Sequence, residues 1–284
     1  MTPLILDGAA LAGARAPRLR ERALAVEAFR GSAPRLLLLA FEGPDGRAPW
    51  VSGKLRACAA AGVEVRALGL RRDVDARQAR TRLEDALADF PADGVFVQFP
   101  FPTGFDGDAL SAAIPPGTDI DVMSPEGVRA FFEGGRPDPP LTITAMLELL
   151  RANGVAVEGH SALVIGERTP FNRMLRASLV RRGAAATVVS AAAPELAGRL
   201  AGSTLVVTSA AEPGALRSGD LAPDAIVVDG GYFNPGAVGD VDTADGIEHL
   251  RAFAPVPGGL GPMTVSMLVE AVVGRAEGRD PAVG

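Results

Sequence analysis

The chain has 284 residues and a mass of 29.1 kDa, and 48% of its residues are apolar, with a mean hydropathy of +0.21. It is long and hydrophobic enough for one large or two modest domains with packed cores, which excludes disorder for most of its length. A net charge of −6 and a pI near 5.1 argue against nucleic acid or an anionic membrane as the main partner.

Cysteine and histidine are too scarce for an internal disulfide or a structural metal site. Cys58 is the single cysteine, and neither His160 nor His249 belongs to a Cys/His cluster. No apolar run approaches the roughly 18 residues of a membrane span, and the first residues of the chain lack the basic region of a signal peptide. We therefore expect a cytoplasmic protein with no metal and no membrane partner.

The hydrophobic pattern of the first half predicts helices and strands in alternation. Helices are predicted over residues 11–29, 48–61 and 76–90, and strands over residues 35–41, 63–70 and 94–99. Repeated βαβ order predicts a parallel sheet. Because only 5% of the residues are aromatic, the core must be built from Ala, Val and Leu, which suits helices packed on a buried sheet.

A Pro/Gly-rich stretch over residues 134–140 predicts a domain boundary, and a second βα series follows it. Its predicted elements are a helix over 144–153, strands over 162–166, 186–190, 205–208 and 225–229, and a helix over 174–182. We expect an α/β fold with an N-terminal α/β domain over 1–138, a Rossmann-like domain over 139–261, and a cleft between them. A final helix at about 262–279 is predicted to pack back on the first domain.

Lys54 is the only lysine in a chain with 27 arginines. Burial can bring the pKa of a lysine near neutrality but not that of an arginine, so only lysine can exchange a proton as an acid or base. Lys54 is therefore a candidate catalytic residue. The alternative is that it is a lysine retained by chance on an exposed helix. Trp50 lies one helical turn earlier, which can place its indole beside the amine.

Gln98 and a pair of aspartates stand at the ends of predicted elements. Gln98 lies in an apolar segment typical of a buried strand, which ends at two prolines. A buried amide needs hydrogen-bond partners, which would be either a ligand or the backbone of a neighbouring loop. The other glutamine, Gln78, lies among charges on a solvated helical face. Asp119 and Asp121 lie two residues apart, and a carboxylate here could bind a ligand or cap a helix near Pro125.

Two further loops have elaborate turn chemistry. Residues 255–264 combine prolines with glycines that admit close approach of the backbone to a flat ligand. The turn at Gly166 follows a predicted strand, where a dinucleotide pyrophosphate would lie at a helix N-terminus.

Together these motifs resemble the bifunctional methylenetetrahydrofolate dehydrogenase/methenyltetrahydrofolate cyclohydrolase family over nearly the whole chain. Five motifs match in order, namely Trp50-Val51-Ser52-Gly53-Lys54 with Ala57-Cys58, Val97-Gln98-Phe99-Pro100-Phe101-Pro102, Thr118-Asp119-Ile120-Asp121, Gly239-Asp240-Val241-Asp242, and Pro255 through Thr264. The resemblance implies two α/β domains, a tetrahydrofolate substrate in the cleft, NADP or NAD on the second domain, and a homodimer.

The resemblance also implies roles for individual residues. Lys54 is the acid/base that handles the water and the ring nitrogen, Gln98 positions Lys54, and Asp121 binds the amino edge of the pterin. The remaining substrate contacts implied are Trp50, Pro257, Gly258, Gly259 and Thr264. Where the family has a tyrosine, Trp50 keeps a ring but lacks the hydroxyl, and Val122 replaces a glycine that follows the Asp-Val-Asp core.

The nucleotide half departs further from the family. The family's Gly-Arg-Ser-x-x-Val-Gly-x-Pro is replaced by residues 166–174, where Glu167 adds negative charge, Pro170 removes a backbone donor and Asn172 replaces a glycine. Gly166, Arg168 and Arg173 are the candidate cofactor contacts that remain.

Three hypotheses follow. The chain keeps both activities; or it has lost or weakened dinucleotide binding and acts as a cyclohydrolase or carbon-transfer enzyme, as Glu167, Pro170, Asn172 and Ala211 suggest; or it binds folate without turnover.

Overall fold

The structure, a computed structural model, describes residues 2–42, 51–134, 138–210, 212–231 and 238–278. The predicted α/β class with parallel sheets is confirmed. The chain divides into two compact units, one of Met1–Gly13 with Thr142–Thr264 and one of Ala14–Leu141 with Val265–Gly284. The first elements are strand β1 (Leu4–Ile5) and helix α1 (Gly8–Arg30), and the division falls within α1.

The unit that contains residues 14–141 is built on a parallel sheet. Its strands are β2 (Arg35–Phe41), β3 (Glu64–Leu70) and β4 (Gly94–Val97), in the order β3-β2-β4. β2 carries four successive leucines that are all buried, as expected for a strand covered on both faces. The helices of this unit include α2 (Val51–Ala61), α3 (Ala76–Asp89), α4 (Gly107–Ser111) and α5 (Pro125–Glu133). The next helix, α6 (Leu141–Ala152), belongs to the other unit from its second residue onward.

Local capping explains where these helices begin and end. Asp75 and Gln78 form a reciprocal capping box at the start of α3, which accounts for Gln78 without a ligand. The Ser124 hydroxyl caps α5, Pro125 occupies the first helical turn, and Gly134 ends the helix with a left-handed φ of 80°.

The unit that contains residues 142–264 holds the larger sheet. Its strands are β5 (Ser161–Ile165), β6 (Ala185–Val189), β7 (Leu205–Thr208), β9 (Ile226–Val228) and β11 (Ala252–Ala254), with β1 at one edge; β8 (Leu216–Arg217) and β10 (Val241–Asp242) form a separate pair. The helices are α7 (Pro170–Val180), α8 (Leu196–Ala201) and the start of α9 (Leu260–Ala276). The order β1-β11-β9-β7-β5-β6 is entirely parallel among the described residues.

This strand order has a topological switch point beside β5. The chain passes from β5 through α7 to β6 on one side, and then through α8 to β7 on the other side. In open α/β sheets, ligands bind outside the carboxyl ends of the strands at such a point. The residues that follow β5 and β7 are therefore candidates for contact with a ligand.

Residues 1–13 differ from the expected domain boundary, which grouped them with the N-terminal domain. Leu4 pairs with Ala252 and Ile5 with Phe253, so the beginning of the chain forms the edge strand of the larger sheet. The expected boundary missed this because β1 and β11 are too short to show a hydrophobic period. Residues 265 onward fall in the unit of residues 14–141, where Arg22 forms a 2.8 Å ion pair with Glu277.

Several element boundaries also differ. α7 begins at Pro170 rather than residue 174, since the Thr169 hydroxyl caps it by accepting from the Asn172 N–H. β4 ends at Val97 rather than residue 99, immediately before Gln98. α2 is described from Val51, so the start predicted for it at residue 48 lies outside the described residues.

Candidate active site

Lys54 lies on the buried face of α2, in a stripe with Val51, Cys58 and Ala61. Its side chain is 7% exposed, so the alternative of a solvated lysine on an exposed helix is wrong. The Lys54 Nζ donates a 2.7 Å hydrogen bond to the Gln98 Oε1 and stands 5.3 Å from the centroid of the Phe96 ring. The amine is therefore held at a defined position over the carboxyl end of β4.

Burial controls the protonation of this amine. It lowers the pKa of Lys54 from 10.5 to about 8, because the charged ammonium loses its hydration, and the nearby negative charge of Asp121 only partly opposes the shift. The neutral amine is thus accessible close to neutral pH, which is what a proton carrier requires. Burial raises the pKa of the Cys58 thiol to about 12, so Cys58 remains a protonated, unreactive thiol beside Lys54.

Gln98 is fixed from both sides. Its backbone N–H donates to the Leu39 oxygen at 2.8 Å, which continues the β2–β4 ladder by one residue. Its side-chain Nε2 donates to the Phe99 oxygen at 2.6 Å, and this bond directs Oε1 towards Lys54. In this geometry Gln98 contacts Lys54 and holds its amine in one place.

The two aspartates have different tasks. The buried Asp119 carboxylate organises the turn before α5, since it accepts from the Val122 N–H, the Ser124 N–H and the Ser124 hydroxyl at 2.9, 3.2 and 2.6 Å. Asp121 Oδ1 accepts from the Leu141 N–H at 2.9 Å, at the start of α6. Neither aspartate therefore caps the helix near Pro125: Ser124 caps that helix with support from Asp119, and one oxygen of Asp121 bonds to the start of α6 instead.

The Asp121 carboxyl has an unusual pKa. Burial raises it from 3.8 to about 7, and the charge of Asp119 adds to the increase, whereas the bond from Leu141 and the charge of Lys54 oppose it. Asp121 and Lys54 therefore interact electrostatically, and both titrate near neutral pH. Perturbed pairs of this kind concentrate at functional sites.

Val122 adopts a backbone conformation that suits glycine. Its φ is 58°, in the left-handed region that β-branched residues rarely enter, and its side chain is buried. The Asp119 bond to its N–H holds this conformation. A valine therefore holds a backbone conformation here that glycine adopts more easily.

The Pro/Gly-rich loop belongs to the other unit and packs against the start of α1. The Ala9 N–H donates to the Gly258 oxygen at 2.8 Å, and a Cβ added to Gly8 would lie 1.8 Å from the Gly259 oxygen. The Thr264 hydroxyl donates to the Leu260 oxygen within α9 at 3.1 Å. The loop at Pro257 thus packs against α1 through its backbone atoms. Trp50, another predicted substrate contact, lies outside the described residues.

The turn after β5 has the shape of a dinucleotide cradle. A Cβ on Gly166 would lie 2.4 Å from the Ser209 oxygen, so only glycine fits where β5 and β7 end side by side. Asn172 is buried at the start of α7; its Nδ2 donates to the Glu167 oxygen at 2.8 Å, and its Oδ1 has no partner among the described residues. Arg168 and Arg173 are exposed on this turn and on the first turn of α7. These residues fit a dinucleotide at the switch point.

Two buried aspartates, which the sequence did not single out as site residues, support the loop that follows β7. The buried Asp240 accepts from the Ala210 and Glu212 N–H groups at 2.9 and 3.2 Å, and the buried Asp229 accepts from the Asp240 and Val241 N–H groups at 2.9 and 3.0 Å. These bonds fix the loop that follows β7. The Gly239-Asp240-Val241-Asp242 motif was the available signal, since Gly239 has no room for a Cβ beside Asp229.

The described residues contain no group of three or more His, Cys, Asp or Glu side chains placed to hold a metal ion. No helix among them is both long and apolar enough to cross a bilayer.

The fold and the site define an α/β protein with a Rossmann-type unit and a buried lysine held by a glutamine. Family models agree with this class. Residues 6–121 match the tetrahydrofolate dehydrogenase/cyclohydrolase catalytic domain, and residues 140–280 match the NAD(P)-binding domain of the same family. The chain therefore belongs to the tetrahydrofolate dehydrogenase/cyclohydrolase family, and the resemblance noted in the sequence is confirmed.

Similar proteins extend over almost the whole chain. Bifunctional protein FolD 2 of Frankia casuarinae is 33% identical over 275 residues, which cover 95% of this chain and 94% of that protein. The FolD structure of Trypanosoma brucei, complexed with NADP and an inhibitor, has a TM-score of 0.88 at 28% identity and covers 98% of both chains. FolD of Campylobacter jejuni has a TM-score of 0.88 at 26% identity, covering 98% of this chain and 100% of that one.

Proposed function

We propose that this enzyme oxidises 5,10-methylenetetrahydrofolate with NAD(P) and hydrolyses the resulting 5,10-methenyltetrahydrofolate to 10-formyltetrahydrofolate. The observation that carries the proposal is the buried Lys54 amine, bonded to Gln98 at 2.7 Å and with a pKa lowered to about 8. The match of residues 140–280 to the family's NAD(P)-binding domain favours retention of both activities over the hypothesis of a lost dinucleotide site.

Lys54 is the proton carrier in this proposal. As a neutral amine it takes a proton from the water that adds to the methenyl carbon. The resulting ammonium gives a proton to the ring nitrogen as the bond between that nitrogen and the carbon breaks, and the hydroxyl on the carbon releases its proton to solvent to form the formyl group. Gln98 keeps the amine in one place, because its side-chain oxygen accepts a hydrogen bond from Lys54 whether the amine is neutral or protonated. A bound dinucleotide supplies the hydride acceptor for the dehydrogenase step.

The proposed substrate contacts are one carboxylate oxygen, an aromatic ring and a loop rich in glycine. Asp121 uses Oδ1 for Leu141, which leaves Oδ2 to accept from the amino edge of the pterin. We assign the stacking contact to Trp50 and the wall of the folate slot to the Pro257-Gly258-Gly259 loop with Thr264. Gly166, Arg168 and Arg173 are the proposed dinucleotide contacts.

The setting of the enzyme is also part of the proposal. The acidic charge balance and the single cysteine support a cytoplasmic enzyme that does not act on nucleic acid or membranes. We expect a homodimer, which light scattering during gel filtration would detect.

The test is Lys54→Arg, which keeps a positive charge of similar size but cannot exchange a proton. We expect the rate of methenyltetrahydrofolate hydrolysis to fall by about 100-fold or more, the usual range for loss of a general acid or base. The matched control is Arg56→Lys, the reverse change on the exposed face of the same helix, which should leave the rate unchanged. An Arg variant that hydrolyses at the normal rate would remove Lys54 from the mechanism, and a wild type that only binds folate would favour the non-catalytic hypothesis.

A further inference from the structure

The end of β6 lies directly beside the turn that holds the proposed dinucleotide. The Gly166 N–H donates to the Val189 oxygen at 2.9 Å, so the last residue of β6 is hydrogen-bonded to the first residue of the turn. Ser190 follows immediately. In dinucleotide-binding α/β sheets, the end of this second strand is where the ribose 2′ position is recognised.

Glu167 supplies a carboxylate at this position although it belongs to the turn. The Ser190 hydroxyl donates to the Glu167 Oε1 at 2.6 Å, and the same hydroxyl oxygen accepts from the Ala192 N–H at 3.3 Å. The Glu167 side chain is thus fixed against the end of β6, while the residue remains exposed to a ligand.

The chemistry of the two cofactors differs at this atom. NAD has a ribose 2′-hydroxyl, which can donate to a carboxylate, whereas NADP has a 2′-phosphate with a charge near −2. A carboxylate beside that phosphate costs binding energy, because like charges are brought together. Recognition of NADP ordinarily uses an arginine at this place.

The segment after β6 provides no such arginine. Residues 190–194 are Ser-Ala-Ala-Ala-Pro, and the next residue is a second acid, Glu195. Arg168 is adjacent to Glu167 in the chain and forms no ion pair within the described residues. It is available for the pyrophosphate, which NAD and NADP share, and so does not by itself discriminate between them.

We infer that Glu167, held by Ser190, makes this enzyme selective for NAD over NADP by accepting from the ribose 2′-hydroxyl and repelling a 2′-phosphate. The inference rests on the proposed function, since it concerns the cofactor of the same reaction. It makes Glu167 a specificity-determining residue where the family pattern has an arginine.

The test is calorimetric titration of the wild type with NAD and with NADP in the absence of folate, followed by the same titrations of Glu167→Arg. We expect the wild type to bind NAD at least about tenfold more tightly than NADP. In Glu167→Arg, the ratio of the Kd for NADP to the Kd for NAD should fall by at least about tenfold. The control is Glu158→Arg, the same charge change on an exposed residue before β5, at the opposite end of the strand. It should leave the ratio unchanged.

Three outcomes would each overturn the inference: NADP binds the wild type as tightly as NAD, Glu167→Arg leaves the ratio of the two affinities unchanged, or neither dinucleotide binds. Hydrolysis of methenyltetrahydrofolate needs no dinucleotide, so measuring it on the same samples shows separately whether the proposed folate chemistry stands.

Discussion

At the scale of residues, the proposed chemistry depends on a single buried amine, that of Lys54. Burying a lysine as an ammonium is unfavourable, and the Gln98 oxygen, the Phe96 ring and the charge of Asp121 offset part of that cost. A close carboxylate would stabilise the ammonium and keep the amine protonated at neutral pH. The neutral glutamine holds the amine in place without that effect.

This interpretation predicts the effect of Gln98→Glu. A carboxylate in place of the amide, at 2.7 Å from the Lys54 Nζ, should raise the pKa of Lys54 above its value of about 8. Since the neutral amine acts as the base, the rate of methenyl hydrolysis rises with pH through that pKa. The midpoint of the pH–rate profile should therefore move to higher pH by about one unit or more.

The control for this variant is Gln78→Glu, at the chain's other glutamine. Glutamate at the third position of a capping box serves as well as glutamine, so stability and pH profile should both be preserved. A thermal melt of each variant separates a change in folding from a change in the pKa. An unshifted midpoint in a folded Gln98→Glu protein would mean that Lys54 is not the group that titrates.

Residue identity predicted part of this site. The rarity of lysine and glutamine singled out Lys54 and Gln98, and the structure brings the two into contact. The sequence could not separate the roles of Asp119 and Asp121, because both are aspartates on one loop and only their hydrogen bonds differ. The contact of Glu167 with Ser190 was equally hidden, since it depends on how two strands align.

At the scale of elements, the sequence did not reveal that the start of α1 packs against the loop at Gly258 and Gly259. Gly8→Ala should destabilise the protein by about 1–3 kcal/mol, because the new methyl group would lie 1.8 Å from the Gly259 backbone oxygen and the loop would have to move. The midpoint of urea unfolding should fall accordingly.

The same helix offers a matched control. A Cβ on Gly13 would meet nothing within 4 Å, so Gly13→Ala should stabilise the protein by about 0.5–1 kcal/mol through helix propensity. If the two variants unfolded at the same urea concentration, the packing of Gly8 against the loop would be disproved.

Elements with a long, regular pattern were predicted closely, whereas the two short strands β1 and β11 were missed. The apolar run of β2 and the pattern of α3 are long enough to show their periods, and both were predicted within one residue of their observed ends. β1 and β11, with two and three residues, carry no period. Their assignment depends on pairing across the sheet, which is a property of the fold rather than of either segment.

At the scale of the whole molecule, each of the two units holds its own group of proposed site residues. The smaller sheet presents Lys54 and Gln98 at the end of β4, and the larger sheet presents Gly166 at its switch point. The alternation of strands and helices predicted both parallel sheets. It could not predict that the chain begins in the larger sheet, where β1 pairs with β11.

The most direct test of the central claim is one absorbance experiment on the wild type with 5,10-methylenetetrahydrofolate and NAD, which follows reduced nicotinamide and the methenyl intermediate together. We expect reduced nicotinamide to accumulate while the methenyl species is formed and then hydrolysed. If 5,10-methylenetetrahydrofolate is not oxidised with NAD or NADP, and added methenyltetrahydrofolate is hydrolysed no faster than in buffer, the assignment of a dehydrogenase and cyclohydrolase built around Lys54 is contradicted.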